Sequence, residues 1–151
     1  VTGRAALGSL LVAAAAACAG RAVEPARLDT AHDACAYCRM IVSDRRFASQ
    51  IVAPLEEPRF FDDLGCLANY LREAGDQPPR TAVYVADHSS GKWVLAGHAV
   101  FTEVRTLTAP MGSHVVAHES AEARAGDPAA RSGRPTTLGD VLPGRLPGAP
   151  R

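Results

Sequence analysis

The chain has 151 residues, 47% of them hydrophobic, with 16 basic side chains balanced by 16 acidic ones. This amounts to one compact domain or two very small ones with enough apolar material for a core, and it excludes a chain that is disordered throughout. The basic residues, 15 Arg and one Lys, are scattered rather than striped, which excludes the electrostatic footprint of a nucleic-acid binder.

At the N-terminus "GRAALGSLLVAAAAACAG" sets Arg4 before an apolar run from Ala5 to Ala17, with small residues just ahead of Cys18. The run is too short to span a bilayer comfortably and reads as an export signal. A cysteine placed directly after small residues resembles a bacterial lipoprotein processing site, which makes Cys18 a candidate for acylation. Plain secretion with small-residue cleavage is the alternative. Either route leads to an oxidising, extracytoplasmic space, and the first implies a periplasmic protein held to a membrane by a lipid anchor. Residues 1–18 are assigned to the signal and residues 19–32, which have no strong hydrophobic period, to a flexible tether.

The folded part is expected to end near Leu142, with the Pro- and Gly-rich residues 143–151 a disordered tail. In "RMIVSDRRFASQIVA", Phe47, Ser49 and Ile51 alternate with Ala48, Gln50 and Val52, which predicts a hairpin around Ser43 to Arg46. The period then changes. Leu64, Leu67, Ala68 and Leu71 recur at helical spacing, Asp62 or Asp63 can cap the start, and Gly75 can end the helix. Beyond the linker "DQPPR", the segments "TAVYVAD" and "KWVLAGHAVFTEV" read as strands joined by the turn "HSSG". "HESAEARAGDPAARSG" predicts a helix interrupted at Pro128, and "RPTTLGDVL" a last short strand and a helical turn. Strands followed by a helix thus occur twice, which gives an α+β fold of two small units, residues 33–78 and 79–142.

The sulfur is concentrated in "CAYCRM", where Cys35, Cys38 and Met40 fall within six residues. A structural zinc site needs a second pair of ligands at knuckle spacing, and Cys66 has no partner near it in the chain. A redox motif places its C-x-x-C at a helix start, whereas the residues after Cys38 read as a strand. A structural disulfide suits an exported chain. A fourth reading uses Met40: thiolate and thioether donors are soft and select Cu(I), and on an extended strand Cys38 and Met40 would share a face. A third soft donor is then wanted, and Met111 lies in the Pro/Gly-bounded loop "APMGSHVVAH" with His114 and His118 close behind; its bland alternative is a loop residue tucked against a sheet.

These motifs carry a resemblance. "CAYCRMIVSDRRFASQIV", "FFDDLGCLANYL", "VYVAD" with "WVLAGHAVF", and "PMGSHVVAH" follow in order the pattern of the NosL family, copper-binding accessory lipoproteins of nitrous oxide reductase maturation, over roughly residues 33–142. The resemblance implies a periplasmic protein that binds one Cu(I) and hands it to apo nitrous oxide reductase or to its membrane-bound assembly machinery. It also implies a fold similar to that of the organomercurial lyase. Cys38, Met40 and Met111 match the sulfur donors of the family pattern, His114 is a candidate completing ligand, and Cys35 stands as ligand, redox lock or bystander. Metal transfer by ligand exchange, with no catalysis, is the mechanism that follows; the competing class is an enzyme, a thiol-disulfide oxidoreductase or an organometal lyase-like protein using the C-x-x-C. The lyase reading requires a Cys-Cys-Asp constellation in one pocket, and the carrier reading requires Met40 and Met111 to converge.

The remaining residues carry less chemistry at this level. Asp62 and Asp63 read as a helix cap and dipole partner, Cys66 as a small buried hydrophobe, and Trp93, Tyr84 and Phe101 as packing for the second sheet. His32, His88 and His98 have no acid or second His at ligand spacing and read as surface or loop residues.

Overall fold

The computed structural model describes residues 23–142. Strands β1 (Ser49–Val52), β2 (Arg59–Phe61), β3 (Ala82–Ala86) and β4 (Trp93–Leu95) form an antiparallel sheet in the order β2-β1-β3-β4. Strands β5 (Val100–Glu103), β6 (Val115–His118) and β7 (Arg134–Thr136) form a second antiparallel sheet in the order β6-β5-β7. With three helices against them, the class is α+β, as expected.

Helix α1 (Leu64–Ala74) forms as its period predicts, burying Leu64, Cys66, Leu67, Ala68 and Leu71 on one face. Asp63 is its N-cap, accepting from the Gly65 N–H at 2.6 Å, and Gly75 ends it at φ +66°. Helix α2 (Ala121–Gly126) is capped by Ser120 and stops where Asp127 must turn extended before Pro128. Helix α3 (Leu138–Val141) follows β7 and carries a reciprocal capping box between Thr137 and Asp140. The main core gathers Ile51, Phe61, Leu67 and Val85 of the first sheet and α1 together with Phe101, Ala117 and Leu142 of the second sheet and α3.

Several expectations are corrected. No hairpin forms at Ser43–Arg46: the Asp44 carboxylate accepts from the Arg46 N–H and closes a 3-10 turn over Arg45–Phe47, and β1 pairs instead with β2 and β3. The linker at residues 76–80 does not divide the sheets, because β3 crosses it to pair with β1 over four residues. Tyr84 and Trp93 consequently lie in the first sheet, and only Phe101 of the three aromatics is in the second. The stretch read as a tether is packed from Val23 on. Its Leu28 is buried, its Ala26 exchanges two hydrogen bonds with the Gln50 amide, and the Tyr84 hydroxyl donates to the Val23 carbonyl at 2.6 Å. Cys18, the signal segment and the tail lie outside the described residues.

The sheets are joined through Asp87. It forms a parallel bridge with Ala117, and its carboxylate accepts from the Glu119 N–H at 2.9 Å on one oxygen and from the Ser89 and Ser90 N–H groups on the other. The next residue continues the seam: the His88 N–H donates to the Ala117 carbonyl at 2.9 Å.

Candidate metal centre

The sulfur motif is a tight turn, not a strand. Ala34 and Ile41 bridge antiparallel, the Cys35 N–H donates to the Met40 carbonyl at 2.7 Å, and the Arg39 N–H donates back to the Cys35 carbonyl at 3.0 Å. Arg39 takes φ +68° to close this loop. The extended geometry expected to place Cys38 and Met40 on one face is therefore absent; the turn leaves Cys38 half-buried and Met40 56% exposed. The loop hangs on β2, where Cys35 bridges Phe60 and the Ala36 N–H donates to the Phe60 carbonyl at 2.8 Å.

That anchorage brings the turn over the start of α1. The Cys38 thiol donates to both oxygens of Asp62, at 3.4 and 3.5 Å, and Cys66 enters from the first turn of the helix, since helical side chains lean toward the N-terminus. Cys35, Cys38, Asp62 and Cys66 each offer a ligand atom within 4.8 Å of the others. All three cysteines are free thiols. Burial pushes the Cys38 thiol above its ordinary value, with Cys35 and Asp62 adding to the rise against a lowering hydrogen bond from the Met40 backbone. Burial also pushes Cys66 well up, reinforced by Cys35 and Asp62. Protonated thiols around a carboxylate make a closed set that a metal opens by displacing protons.

The second methionine arrives by way of the neighbouring acid. Asp63 is extended at φ −153°, so its carboxylate faces away from that of Asp62. It accepts from the Met111 N–H at 3.1 Å and the Ser113 N–H at 3.4 Å, clamping the loop at residues 109–114 to the helix start. Gly112 at φ +73° turns this loop. Gly65 lets it approach, because a Cβ there would stand 3.0 Å from the Asp63 carboxylate and 3.3 Å from Ser113. Cys38 and the Met111 backbone are thus held by adjacent residues, and the Met111 side chain is 48% exposed. His114 is fixed in the same loop at φ +56°, its Nδ1–H directed to the Leu107 carbonyl at 2.9 Å, which leaves the Nε2 lone pair available.

Residue patterning pointed to Cys35, Cys38, Met40, Met111 and His114. It missed Cys66 and Asp62, which join the cluster. Cys66 lies on the apolar stripe and is buried as expected, but its sulfur also meets two others; Asp62 leaves the capping to Asp63 and takes the thiol. With Cys66 included, the set is three thiols and a carboxylate, so the objection to a tetrahedral zinc site, that Cys66 lacked a partner, falls away.

Residues 25–141 match the NosL family. The chain belongs to the NosL family. No curated protein and no solved structure matches it significantly. NosL proteins are copper-binding accessory proteins, and membership together with the cysteine-rich cluster points to a copper-related role for this chain.

A second group was misread in the NosL chain altogether. His88 lies in a turn but is buried rather than on the surface, and it sits with His118 and Asp127 within the same 4.8 Å limit. Sequence separation hid it: the histidines are 30 positions apart, and the Asp87–Ala117 bridge and the C-cap of α2 bring the three side chains together. His32 also has an acid after all, Asp29 at 3.0 Å, though on the surface.

Proposed function

We propose that this chain is a copper chaperone, which takes one Cu(I) on the thiolate of Cys38, with sulfur from Cys35 or Cys66 below and the thioethers of Met40 and Met111 at the rim, and passes it on intact. The observation that carries this reading is the convergence of Cys35, Cys38, Asp62 and Cys66 at the start of α1, the helix start to which Asp63 also fastens the Met111 loop. Soft thiolate and thioether donors favour Cu(I) over harder, more abundant cations. Half-exposed methionines stay within reach of an incoming ligand, so a partner's thiolate, thioether or imidazole can bind the ion before the donor side lets go. His114 Nε2 is a further donor from the same loop. No bond of a substrate is made or broken, and the chain acts as a carrier rather than a catalyst.

The recipient that fits the family is apo nitrous oxide reductase or its membrane-bound assembly machinery. An exported, periplasmic chain tethered through Cys18 would present the copper there. Among the described residues no helix is long and apolar enough to cross a membrane.

The test is a titration of the reduced chain with Cu(I) against a competing chelator, beside Met40→Ala, Met111→Ala and Cys38→Ser variants. One-to-one binding weakened by ~1–3 kcal/mol in each methionine variant, and more in Cys38→Ser, supports the carrier. Binding that ignores both methionines, or a preference for Zn(II) over Cu(I), rejects a mixed thiolate and thioether site. A second reading has an observation of its own, because paired thiols and Asp62 form the Cys-Cys-Asp constellation of a lyase acting on carbon–metal bonds. Incubation with an organomercurial decides it: release of the hydrocarbon, lost in Asp62→Asn, would make the chain an enzyme.

A further inference from the structure

We propose that His88, His118 and Asp127 form a second metal site, separate from the cysteines, which holds a divalent borderline cation such as Zn(II) as a structural staple between the two sheets. The inference does not rest on the copper reading. The donors are two imidazoles and one carboxylate, a hard-to-borderline set with no sulfur, so Cu(I) is not its natural occupant.

The geometry is convergent. His88 Nδ1 stands 2.6 Å and His118 Nε2 3.0 Å from the same oxygen, Oδ2 of Asp127. Two nitrogen lone pairs cannot face a carboxylate oxygen at these distances unless a proton or a cation lies between each pair of atoms. One divalent ion satisfies all three donors together. A tetrahedral ion with bonds of about 2.0–2.1 Å sets its ligands about 3.3 Å apart, so the observed contacts need to open by only roughly 0.3–0.7 Å.

The three side chains are also built in from behind. Asp127 is fixed in extended conformation between the end of α2 and Pro128, and its other oxygen accepts from the Ala129 N–H at 2.9 Å, which aims Oδ2 at the rings. His88 is held by its backbone bond to Ala117, His118 ends β6, and the Phe47 ring closes over His88 edge-on at 5.2 Å. Exposures of 5%, 0% and 7% remove bulk water from His88, His118 and Asp127.

Charge argues the same way. Contacts from His88, His118 and the Ala129 N–H all gather on the buried Asp127 carboxylate. A buried anion needs a positive partner. Arg46, whose field reaches Asp127, is already paired with Asp44 at 2.7 Å. The far nitrogens, His88 Nε2 and His118 Nδ1, are buried without a partner, so the Asp127 oxygen is the sole polar anchor of either ring. A site this closed loads as the chain folds, and its donors come from the turn after β3, the end of β6 and the C-cap of α2. The ion would therefore act on stability.

The full chain is refolded with excess Zn(II), washed with chelator, and its zinc counted beside Asp127→Asn and His88→Gln. The expected result is one more retained equivalent in the unmodified chain than in either variant, and a melting temperature several degrees above that of chain refolded without metal. If those variants fail to fold, His118→Cys refolded with Co(II) decides, because it keeps a ligand and adds a thiolate charge-transfer band to the spectrum of the unmodified chain. Equal zinc in all chains with an unchanged melting temperature, or no added band in His118→Cys, would overturn the proposal and leave the triad an ion pair bridged by protons.

Discussion

Burial sets the chemistry of the Cys38 and Cys66 thiols before any metal arrives, and it does so with a definite sign. Both are pushed above the ordinary thiol value, so the folded chain keeps its protons where the unfolded chain would lose them. That contribution to stability is fully present below the unfolded thiol pKa and is lost as pH rises past it. The reduced, metal-free protein is therefore expected to lose melting temperature from about pH 8 to about pH 10, and Cys66→Ala to flatten this alkaline slope. An unchanged slope in the variant would mean that Cys66 is not a titrating member of the cluster. Spacing made Cys35 and Cys38 legible as a pair. Cys66 was not, because nothing in its helical position distinguishes a core thiol from one that meets two others. The paired acids were legible only as a unit: the extended backbone at Asp63 sends the two carboxylates opposite ways, one to the thiol and one to the methionine loop.

Each element that frames the site hangs on few contacts, and these are open to single substitutions. Removing the Asp63 carboxylate in Asp63→Ala uncaps α1 and releases the Met111 and Ser113 N–H groups together. A loss of about 1–3 kcal/mol in chemical denaturation is expected, the cap alone accounting for roughly 0.5–2. Asp62→Asn, which still offers the Cys38 thiol an oxygen, should cost clearly less; equal losses would show that Asp63 is no more than a surface-like cap. A tighter constraint lies behind β7. A Cβ on Gly133 would run into the Thr102 side chain and come within 2.8 Å of the Glu103 carbonyl, a backbone atom that cannot step aside. Gly133→Ala should destabilise by about 1–3 kcal/mol on the overpacking scale, read from the same denaturant midpoint. Strands β1, β3, β4, β5 and β7 and helix α1 lie in segments the patterning marked, whereas β2, β6 and the Cys35–Met40 turn were not read as such. Its apolar Met40–Val42 run looks like a strand, and only the backbone bonds between Cys35 and residues 39 and 40 reveal otherwise.

The two sheets depend on one another through ionised groups at their seam, which gives the whole molecule an acid limit. Pairing could not be read from the order of segments, since the strands after the linker split, β3 and β4 joining the first sheet and β5 the second. The seam that results is held by Asp87 and Asp127. Burial works against the Asp87 charge, but N–H donors from Glu119 and Ser90 and the Ser90 hydroxyl lower its pKa; at Asp127 the two histidines do the same, holding it at about 2. A depressed carboxylate stabilises the fold above its unfolded value and stops doing so as pH falls through its folded one. In chain free of added metal, the melting temperature should hold down to about pH 5 and fall toward about pH 2. Asp127→Asn should begin from a lower melting temperature and lose less over that interval, because one of the titrating anions is gone. Circular dichroism melts at stepped pH measure both. If the variant keeps the full acid slope, Asp87 and the other carboxylates carry the transition, and the buried triad contributes nothing to holding the sheets together.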